Sequence, residues 1–232
     1  MGDVAIIVPT LRRPDSLERA LRSLLAQTGV ESRLTAIVVA DNDPQGSAAE
    51  VVERLSRAAP VPLVYVHAPV PGVATARNAG LAATSAPLIA FLDDDEAASP
   101  GWLASLLAGM QHTGADVVFG PIRGRVPDDA GWARAYLERF FGREGPATTT
   151  LIPEPYGCGN SLMRRAVALQ GAAPFDTAMD QSGGEDDVLF AGVRARSGRF
   201  GWAADAWVDE FAPRHRATLR YALTRAFARF AG

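Results

Sequence analysis

The chain has 232 residues, of which 48% are hydrophobic and 21% are charged, a composition typical of a globular protein. A chain of this length can bury one substantial core, so we expect a single domain over residues 1–232. All 23 basic residues are arginine. The absence of lysine excludes a P-loop, a pyridoxal-phosphate Schiff base and a lysine nucleophile.

The net charge and the single cysteine exclude further kinds of binding partner and cross-link. A net charge of −3 gives no reason to expect binding to nucleic acid. Cys158 has no second cysteine to pair with, which excludes an internal disulfide and suits a reducing compartment. Residues 1–8 lack the basic region of a signal peptide, and no stretch reaches the roughly 18 apolar residues of a membrane span. We therefore expect a cytoplasmic protein.

The first half of the chain alternates short apolar runs with amphipathic segments. The apolar runs predict strands at residues 4–8, 34–40, 63–66 and 88–92. The segments between them predict helices that begin at Pro14, near Ala48 and near Pro71. This alternation indicates an α/β fold with a mostly parallel central sheet and helices on both faces. Ligands bind such sheets at the carboxyl ends of the strands, where Thr10, Asp41 and residues 93–96 fall.

The second half, from about Pro121, is interrupted more often by proline, glycine and arginine. Its periodicity predicts one strand near residues 200–208 and helices at residues 132–140, 163–169, 185–197 and 218–230. The change of character near Pro121 does not resemble a linker. We therefore treat residues 1–120 and 121–232 as two functional halves of one domain.

Four consecutive acids, from Asp93 to Glu96, follow the fourth predicted strand. Carboxylates this close repel one another unless a cation or solvent compensates their charge. Asp93 and Asp95 are spaced to hold a divalent cation together with the oxygens of a diphosphate. The spacing alone equally allows a solvated acidic turn before the next helix.

Five motifs occur in order along nearly the whole chain. They are Ile7-Val8-Pro9-Thr10, Asp41, the nine residues from Gly72 to Gly80, Asp93-Asp94-Asp95 and Gly183-Gly184-Glu185-Asp186. With these motifs the chain resembles family 2 glycosyltransferases, which have the Rossmann-like GT-A fold. Further segments resemble bacterial exopolysaccharide glycosyltransferases of the succinoglycan-biosynthesis type: Asp41-Asn42-Asp43-Pro44, Gly120-Pro121 and Glu210-Phe211-Ala212-Pro213 before Arg216.

The resemblance implies that residues 1–120 bind a nucleotide sugar and that residues 121–232 bind the acceptor. Pro9, Thr10 and Asp41 should line the nucleotide pocket, with Asp41 accepting a hydrogen bond from the uracil imide. Arg77 should approach the base or the diphosphate, where a planar guanidinium suits anionic oxygens. An ion pair on the surface of a helix is the alternative for Arg77.

The resemblance also implies a Mn²⁺ or Mg²⁺ cofactor. Asp93 should contact the ribose or the metal, and Asp95 should bind the metal. Asp94 belongs to the nucleotide-sugar site beside them, either behind the ligands or exposed to solvent. His215 is a candidate ligand, because some family members complete the metal shell with a histidine near the C-terminus.

Glu185 and Asp186 open a predicted helix, where acids also complement the helix dipole. The resemblance makes Asp186 the general base, and Glu185 is the competing candidate. An inverting transfer needs one carboxylate to take the proton of the acceptor hydroxyl, while the metal stabilises the departing diphosphate, so no protein general acid is required. Asn160 lies in the loop that the family places beside the donor sugar and the acceptor.

The last predicted helix is amphipathic. Its apolar side carries Leu219, Leu223, Phe227 and Phe230, and much of its remaining surface carries Arg216, Arg220, Arg225 and Arg229. Two interpretations are open. The helix either docks on the core with solvated arginines, or it rests on an anionic membrane that holds lipid-linked acceptors.

The resemblance therefore implies an inverting, metal-dependent glycosyltransferase. We expect it to move a sugar, with glucose as the first candidate, from a UDP-sugar to a lipid-linked or polysaccharide acceptor. Its place would be exopolysaccharide or cell-surface glycan synthesis at the inner face of the plasma membrane. One alternative is a sugar-1-phosphate nucleotidyltransferase, although the chain lacks the glycine-rich N-terminal loop and the lysine of that class. The other alternative is a non-catalytic protein that binds a sugar nucleotide.

Overall fold

The computed structural model describes the backbone of residues 2–230 and the side chains of residues 2–225. In chain order the strands are β1 (Val4–Thr10), β2 (Leu34–Asp41), β3 (Leu63–His67), β4 (Leu88–Phe91), β5 (Glu96–Ala98), β6 (Val117–Phe119), β7 (Ile122–Arg125), β8 (Thr150–Ile152), β9 (Ser161–Arg164), β10 (Phe200–Trp202) and β11 (Val208–Phe211). The helices are α1 (Pro14–Leu25), α2 (Ala49–Ser56), α3 (Val73–Ala82), α4 (Trp102–Thr113), α5 (Arg134–Phe141), α6 (Arg165–Ala168), α7 (Glu185–Ala195) and α8 (Leu219–Phe230).

The central sheet has eight strands in the order β3-β2-β1-β4-β9-β6-β10-β8. β1 pairs in parallel with β2 and β4, and β2 pairs in parallel with β3. β9 runs antiparallel to both of its neighbours, β4 and β6, and β8 runs antiparallel to β10 at the edge. The other six strands share one direction, which confirms the mostly parallel sheet.

Helices cover both faces of this sheet, as predicted. On one face, Ile6 of β1 belongs to the same buried cluster as Leu21 of α1 and Leu106 of α4. On the other face, Ile7 belongs to a cluster with Leu81 of α3 and Phe190 of α7. Successive side chains of a strand point to opposite faces, so an unbroken apolar run is what a strand covered on both faces requires.

A second sheet of three strands, in the order β5-β11-β7, begins at Glu96, the last of the four acids from Asp93 to Glu96 that form the acidic run. β11 pairs antiparallel with β5 and parallel with β7, which places Glu210 opposite Glu96. The Phe211 N–H also donates to the Asp95 carbonyl at 2.9 Å. This sheet therefore joins the acidic run to the C-terminal part of the chain.

Two predicted elements differ from the structure. The single strand near residues 200–208 is wrong, because β10 and β11 belong to different sheets and are separated by a turn in which the Ala206 N–H donates to the Ala203 carbonyl at 3.1 Å. The helix at residues 163–169 begins only at Arg165, because the preceding residues form β9. Pairing with β4 and β6 overrides the local helical pattern there.

The start of α8 packs against α5. Ala222 is buried in a cluster with Leu137 of α5, and Leu219 is partly buried against the same cluster. Leu223 remains 52% exposed. The side chains of Phe227, Arg229 and Phe230, which complete the predicted amphipathic pattern, lie outside the described residues. None of the described helices combines the length and the apolar character needed to cross a membrane.

The close approach of α3 to β1 depends on Gly80. A Cβ atom at this position would lie 2.6 Å from Cγ2 of Ile7. We expect Gly80→Ala to lower the free energy of unfolding by about 1–3 kcal/mol, because β1 and α3 must separate to admit the methyl group. Urea denaturation measures this loss. Gly101→Ala is the matched control, since no atom lies within 4 Å of its added Cβ; equal midpoints for the two variants would contradict the prediction.

Candidate active site

A cavity of about 450 Å³ opens between the carboxyl ends of β1 and β4 and the start of α3. Six of the predicted site residues line it: Pro9, Thr10, Arg77, Asp93, Asp94 and Asp95. Among the residues that the sequence did not single out for this site, Arg13, Asn42, Asp180 and Arg216 also line it. The cavity therefore lies at the edge of the sheet that the strand pattern predicted.

The loop between β1 and α1 holds the acidic run in place. Asp94 is only 6% exposed, and its carboxylate accepts hydrogen bonds from Thr10 Oγ1 at 2.8 Å and from Arg13 Nη1 at 3.0 Å. The same Arg13 nitrogen donates to Asp95 Oδ2 at 2.9 Å. Arg13 thus neutralises part of the negative charge of Asp94 and Asp95. The carboxylate of Asp94 stabilises the loop between β1 and α1 and does not face solvent.

Asp93 is the acid most open to the cavity. Its side chain is 41% exposed, and Arg77 Nη2 lies 3.6 Å from Oδ1. Its backbone N–H donates to Glu96 Oε2 at 3.0 Å, while Glu96 itself is 1% exposed. The run is therefore not a solvated turn, because Asp94 and Glu96 are buried and Asp93 faces the cavity.

Arg77 joins the cavity to Glu185 and Asp186, two acids at the start of α7. Its Nη1 donates to Glu185 Oε1 at 2.6 Å and to Asp186 Oδ1 at 2.7 Å. The Arg77 side chain is 5% exposed, so the surface ion pair considered as its alternative is wrong. One guanidinium in α3 thereby brings together the acids of the cavity and those at the start of α7.

Asp186 is held from two sides. Besides Arg77 on Oδ1, the backbone N–H of Cys158 donates to its Oδ2 at 2.8 Å. Asp186 retains 21% side-chain exposure, whereas Glu185 retains 9%. Burial and the charge of Asp186 raise the pKa of Glu185, and Arg77 opposes this shift. Neither acid lines the 450 Å³ cavity itself, so Arg77 is the link between them and the cavity.

The site carries more negative charge than its arginines balance. Burial raises the pKa of Asp93 and Asp95, and the neighbouring carboxylates Asp95 and Asp94 add to the respective shifts. Burial and Asp93 raise the pKa of Glu96 well above its usual range. Burial, Asp95 and Asp93 raise the pKa of Glu210 to about 8. Carboxylate oxygens with this surplus charge suit a hard divalent cation, although no group of three or more His, Cys, Asp or Glu among the described residues is arranged to bind a metal.

Asp41 does not line the cavity, contrary to expectation. It is fully buried, and Oδ1 accepts a hydrogen bond from the Asp43 N–H at 3.0 Å. Its Oδ2 accepts from the Ala48 N–H at 2.8 Å and from Tyr65 Oη at 3.0 Å. In this conformation the carboxylate stabilises the loop after β2, and the next residue, Asn42, faces the cavity instead.

Asn160 is likewise in the interior. It is fully buried; its Oδ1 accepts a hydrogen bond from Trp102 Nε1 at 2.7 Å, and its Nδ2 donates to the carbonyls of Pro121 and Ala206 at 2.8 and 2.9 Å. Its side chain therefore joins three segments of the chain. It does not point to a site where an acceptor sugar could bind.

His215 is exposed and does not line the cavity, whereas the adjacent Arg216 does. This arrangement gives no support to His215 as a metal ligand.

Asp180 and Arg143 are the contributions that sequence reasoning missed most completely. Asp180 caps α3, accepting from the Ala74 N–H at 2.7 Å and from Thr75 Oγ1 at 2.6 Å. Arg143 donates to two backbone carbonyls of the loop that contacts Asp186. Neither residue lies within a recognisable motif, so no sequence signal separates them from the other acids and arginines. Glu210 lies in one of the segments that carry the family resemblance, but the resemblance assigns it no role.

Comparison with known proteins identifies the family. Residues 5–170 match the model of glycosyl transferase family 2. The chain belongs to this family. It is 36% identical over 232 residues to the succinoglycan biosynthesis protein ExoM of Rhizobium meliloti, an alignment that covers 97% of this chain and 72% of ExoM. It is also 37% identical over 207 residues to the pre-mycofactocin glycosyltransferase of Mycobacterium tuberculosis, covering 84% of this chain and 40% of that protein.

Solved structures with the same fold include TarS of S. aureus. The complex of TarS 1-349 with UDP-GlcNAc aligns with a TM-score of 0.67 and 18% identity, covering 92% of this chain and 59% of that one. The complex with UDP aligns with a TM-score of 0.66 and 17% identity, covering 91% of this chain and 61% of that one. The likeness to TarS shows the fold alone. The family match makes the protein a glycosyltransferase, and its fold is GT-A, as the motifs indicated.

The raised pKa of Glu210 predicts how stability depends on pH in the absence of divalent cations. The folded state keeps a proton that the unfolded chain loses near the ordinary glutamate pKa of about 4.3. The free energy of unfolding should therefore fall as the pH rises from there to about 8. We expect Glu210→Gln to reduce this fall, measured by urea denaturation with a chelator present.

Glu154→Gln is the matched control for this measurement. Arg194 lowers the pKa of Glu154, so its contribution to stability is complete above the ordinary glutamate pKa and is lost only at lower pH. This variant should change the level of the curve between about pH 5 and 8 but not its slope. If Glu210→Gln and the wild type have the same slope, the pKa of Glu210 is not raised as described, and the prediction is contradicted.

Proposed function

We propose that this enzyme transfers a sugar, with inversion, from a UDP-sugar to a lipid-linked or polysaccharide acceptor in exopolysaccharide or cell-surface glycan synthesis. The observation that carries the proposal is the bridge through Arg77. It sets Asp186 beside Asp93, so that a carboxylate able to accept a proton stands next to the cavity that would hold the donor. The similarity to ExoM supports the biosynthetic role.

The cavity has suitable chemistry for a nucleoside diphosphate sugar. Arg216 lines it, and within the described part of the chain this arginine forms no ion pair, in contrast to Arg13 and Arg77. Its guanidinium is thus available for the diphosphate oxygens. Complexes of TarS with UDP and UDP-GlcNAc support a uridine nucleotide as the carrier. Glucose is our first candidate for the sugar, and similarity to a validoxylamine A glucosyltransferase of Streptomyces hygroscopicus supports it.

Mn²⁺ or Mg²⁺ fits the residues of the cavity. Asp93 and Asp95 are the two carboxylates that would hold it, since both line the cavity and share the charge surplus. When bound, the cation supplies positive charge to the departing diphosphate. Asp94 would act only by holding the loop, because its carboxylate is already bonded to Thr10 and Arg13.

Asp186 is the proposed general base. As the acceptor hydroxyl attacks the anomeric carbon, the new carbon–oxygen bond forms, the bond to the diphosphate breaks, and the hydroxyl proton passes to Asp186 while UDP leaves. Arg77 and the Cys158 N–H fix the orientation of this carboxylate. Glu185 is the weaker candidate, because its side chain is more buried than that of Asp186.

The start of α8 supports the proposed contact with anionic lipid at the cytoplasmic face of the membrane. Arg220 and Arg225 are exposed there beside the half-exposed Leu223. Trp132, which directly precedes Ala133 of the cluster on which α8 packs, is 89% exposed. Exposed arginines with adjacent apolar and aromatic side chains are typical of surfaces that rest on lipid headgroups.

The proposed roles of Asp95 and Asp186 predict opposite effects on binding and transfer. Asp95→Asn should weaken Mn²⁺-dependent UDP binding at least roughly tenfold, since it removes a proposed ligand of the cation. Asp186→Asn should keep UDP affinity but lower kcat by roughly 10²–10⁴-fold, since it removes the base. Calorimetry with UDP and a UDP-release assay over a panel of UDP-sugars measure both effects.

Asp187→Asn is the matched control, because this acid lies in the same helical turn but is exposed. It should behave as the wild type in both assays. Wild-type transfer by Asp186→Asn would refute the assignment of the base. Release of pyrophosphate instead of UDP would refute the glycosyl transfer, and UDP-sugar binding without turnover on any acceptor would indicate a non-catalytic protein.

The proposed membrane contact predicts that binding to anionic vesicles depends on the exposed arginines of α8. Arg220→Glu with Arg225→Glu should lower binding to vesicles that contain anionic phosphatidylglycerol by roughly tenfold or more, at about 1 kcal/mol for each arginine near the surface. Vesicle flotation measures it. The control is Arg22→Glu with Arg57→Glu, which makes the same change of charge at two other exposed arginines. Equal flotation of both double variants would exclude α8 as the contact.

A further inference from the structure

The segment Gly157-Cys158-Gly159 passes between the two acids to which we assign the donor site and the base. A Cβ atom on Gly159 would lie 2.5 Å from Asp93 Oδ2, and one on Gly157 would lie 3.3 Å from Asp186 Oδ2. Between them, the Cys158 N–H donates to Asp186 Oδ2 at 2.8 Å. The backbone of these three residues is therefore the spacer that sets Asp186 relative to Asp93.

Arg143 holds this spacer from behind. Its Nη1 donates to the Gly159 carbonyl at 2.9 Å, and its Nη2 donates to the Gly157 carbonyl at 3.2 Å. Its backbone is fixed in turn by two hydrogen bonds with Ile122 of β7, at 2.9 and 3.0 Å. The two carbonyls flanking Cys158 are thus bonded to one planar guanidinium while the Cys158 N–H is bonded to Asp186.

The geometry of this contact favours an arginine over a lysine. A guanidinium presents several N–H groups in a fixed fork and binds two acceptors in defined directions, whereas an ammonium group is a point charge on a flexible stem. Arg143 also faces the negative charges of Glu96, Asp93 and Glu210. It therefore remains between the acidic cluster and the spacer, although it is bonded to neutral carbonyls.

A second arginine shows what a purely structural contact of this type looks like. Arg165 donates through Nε and Nη2 to the carbonyls of Ala86 and Thr84, both at 2.9 Å, and to that of Leu81 at 3.3 Å. These carbonyls belong to the end of α3 and the loop that follows it. Arg165 therefore forms the same kind of hydrogen bonds, but among the described residues none of them is to residues 157–159.

We propose that Arg143 is a positioning residue for the transfer reaction: by binding the carbonyls of Gly157 and Gly159 it orients the Cys158 N–H and so fixes Asp186 at its distance from Asp93. This inference rests on the proposed function, since it concerns the rate of transfer and not the binding of the donor. Arg143 lies outside the lining of the donor cavity. Its loss should leave the donor site intact and misplace only the base.

The test uses the full chain with Arg143→Gln, Arg143→Lys and the control Arg165→Gln. For Arg143→Gln we expect kcat to fall roughly 10–100-fold, because small displacements of a reacting group cost this much. The donor KM and the UDP affinity from calorimetry should stay within about twofold of wild type. The kcat of Arg143→Lys should lie between those of Arg143→Gln and the wild type. Arg165→Gln should lower the thermal midpoint but leave kcat near that of the wild type.

Gly157→Ala provides a second variant that does not alter Arg143. Its methyl group would press on Asp186 Oδ2 from the spacer side, so kcat should fall again with UDP affinity retained. This variant decides the question if Arg143→Gln does not fold. Added guanidinium ion should also restore part of the rate of Arg143→Ala but not that of Asp186→Asn.

Two outcomes would overturn the inference. One is a wild-type kcat for Arg143→Gln or, should that variant not fold, for Gly157→Ala. The other is a parallel loss of kcat, UDP affinity and thermal midpoint in both Arg143→Gln and Arg165→Gln, which marks a structural role alone. A wild-type chain that neither binds UDP nor transfers sugar would instead refute the proposed function, and this inference with it.

Discussion

Arg77 carries a positive charge into the interior at the point where three carboxylates converge. Its Nη1 donates to both Glu185 and Asp186, and its Nη2 faces Asp93. An uncompensated group of buried carboxylates costs about 3–5 kcal/mol or shifts its protonation. The contact of α3 with α7 and with the acidic run therefore depends on this one side chain, which also lines the cavity.

The carboxylates that no arginine balances explain why this edge of the sheet suits a cation and an anionic ligand bound together. Arg13 and Arg77 are already engaged, while burial raises the pKa of Asp93, Asp95 and Glu210. A divalent cation would relieve their mutual repulsion, and a diphosphate would balance the cation. The use of arginine throughout fits this chemistry, because a guanidinium remains charged when buried and can bind two acceptors at once.

Much of the fold could be predicted because it is encoded locally. Apolar runs alternating with amphipathic helices determine β1 to β4 and their covering helices, and these elements agree with the structure within a few residues. β9 and the three-stranded sheet could not be predicted in this way. Their pairing joins residues far apart in sequence, such as Glu96 with Glu210, and short strands of three or four residues have too little pattern of their own.

The sequence by itself determined the family, the edge of the sheet that carries the site, and the acidic motifs that meet there. Only the tertiary structure decided which way each side chain points. Asp41 and Asn160 turn inward because backbone groups of neighbouring segments satisfy them, whereas Arg143 and Arg216 reach the site from distant parts of the chain. A motif specifies which groups are present, but burial and hydrogen-bond partners depend on segments that become neighbours only after folding.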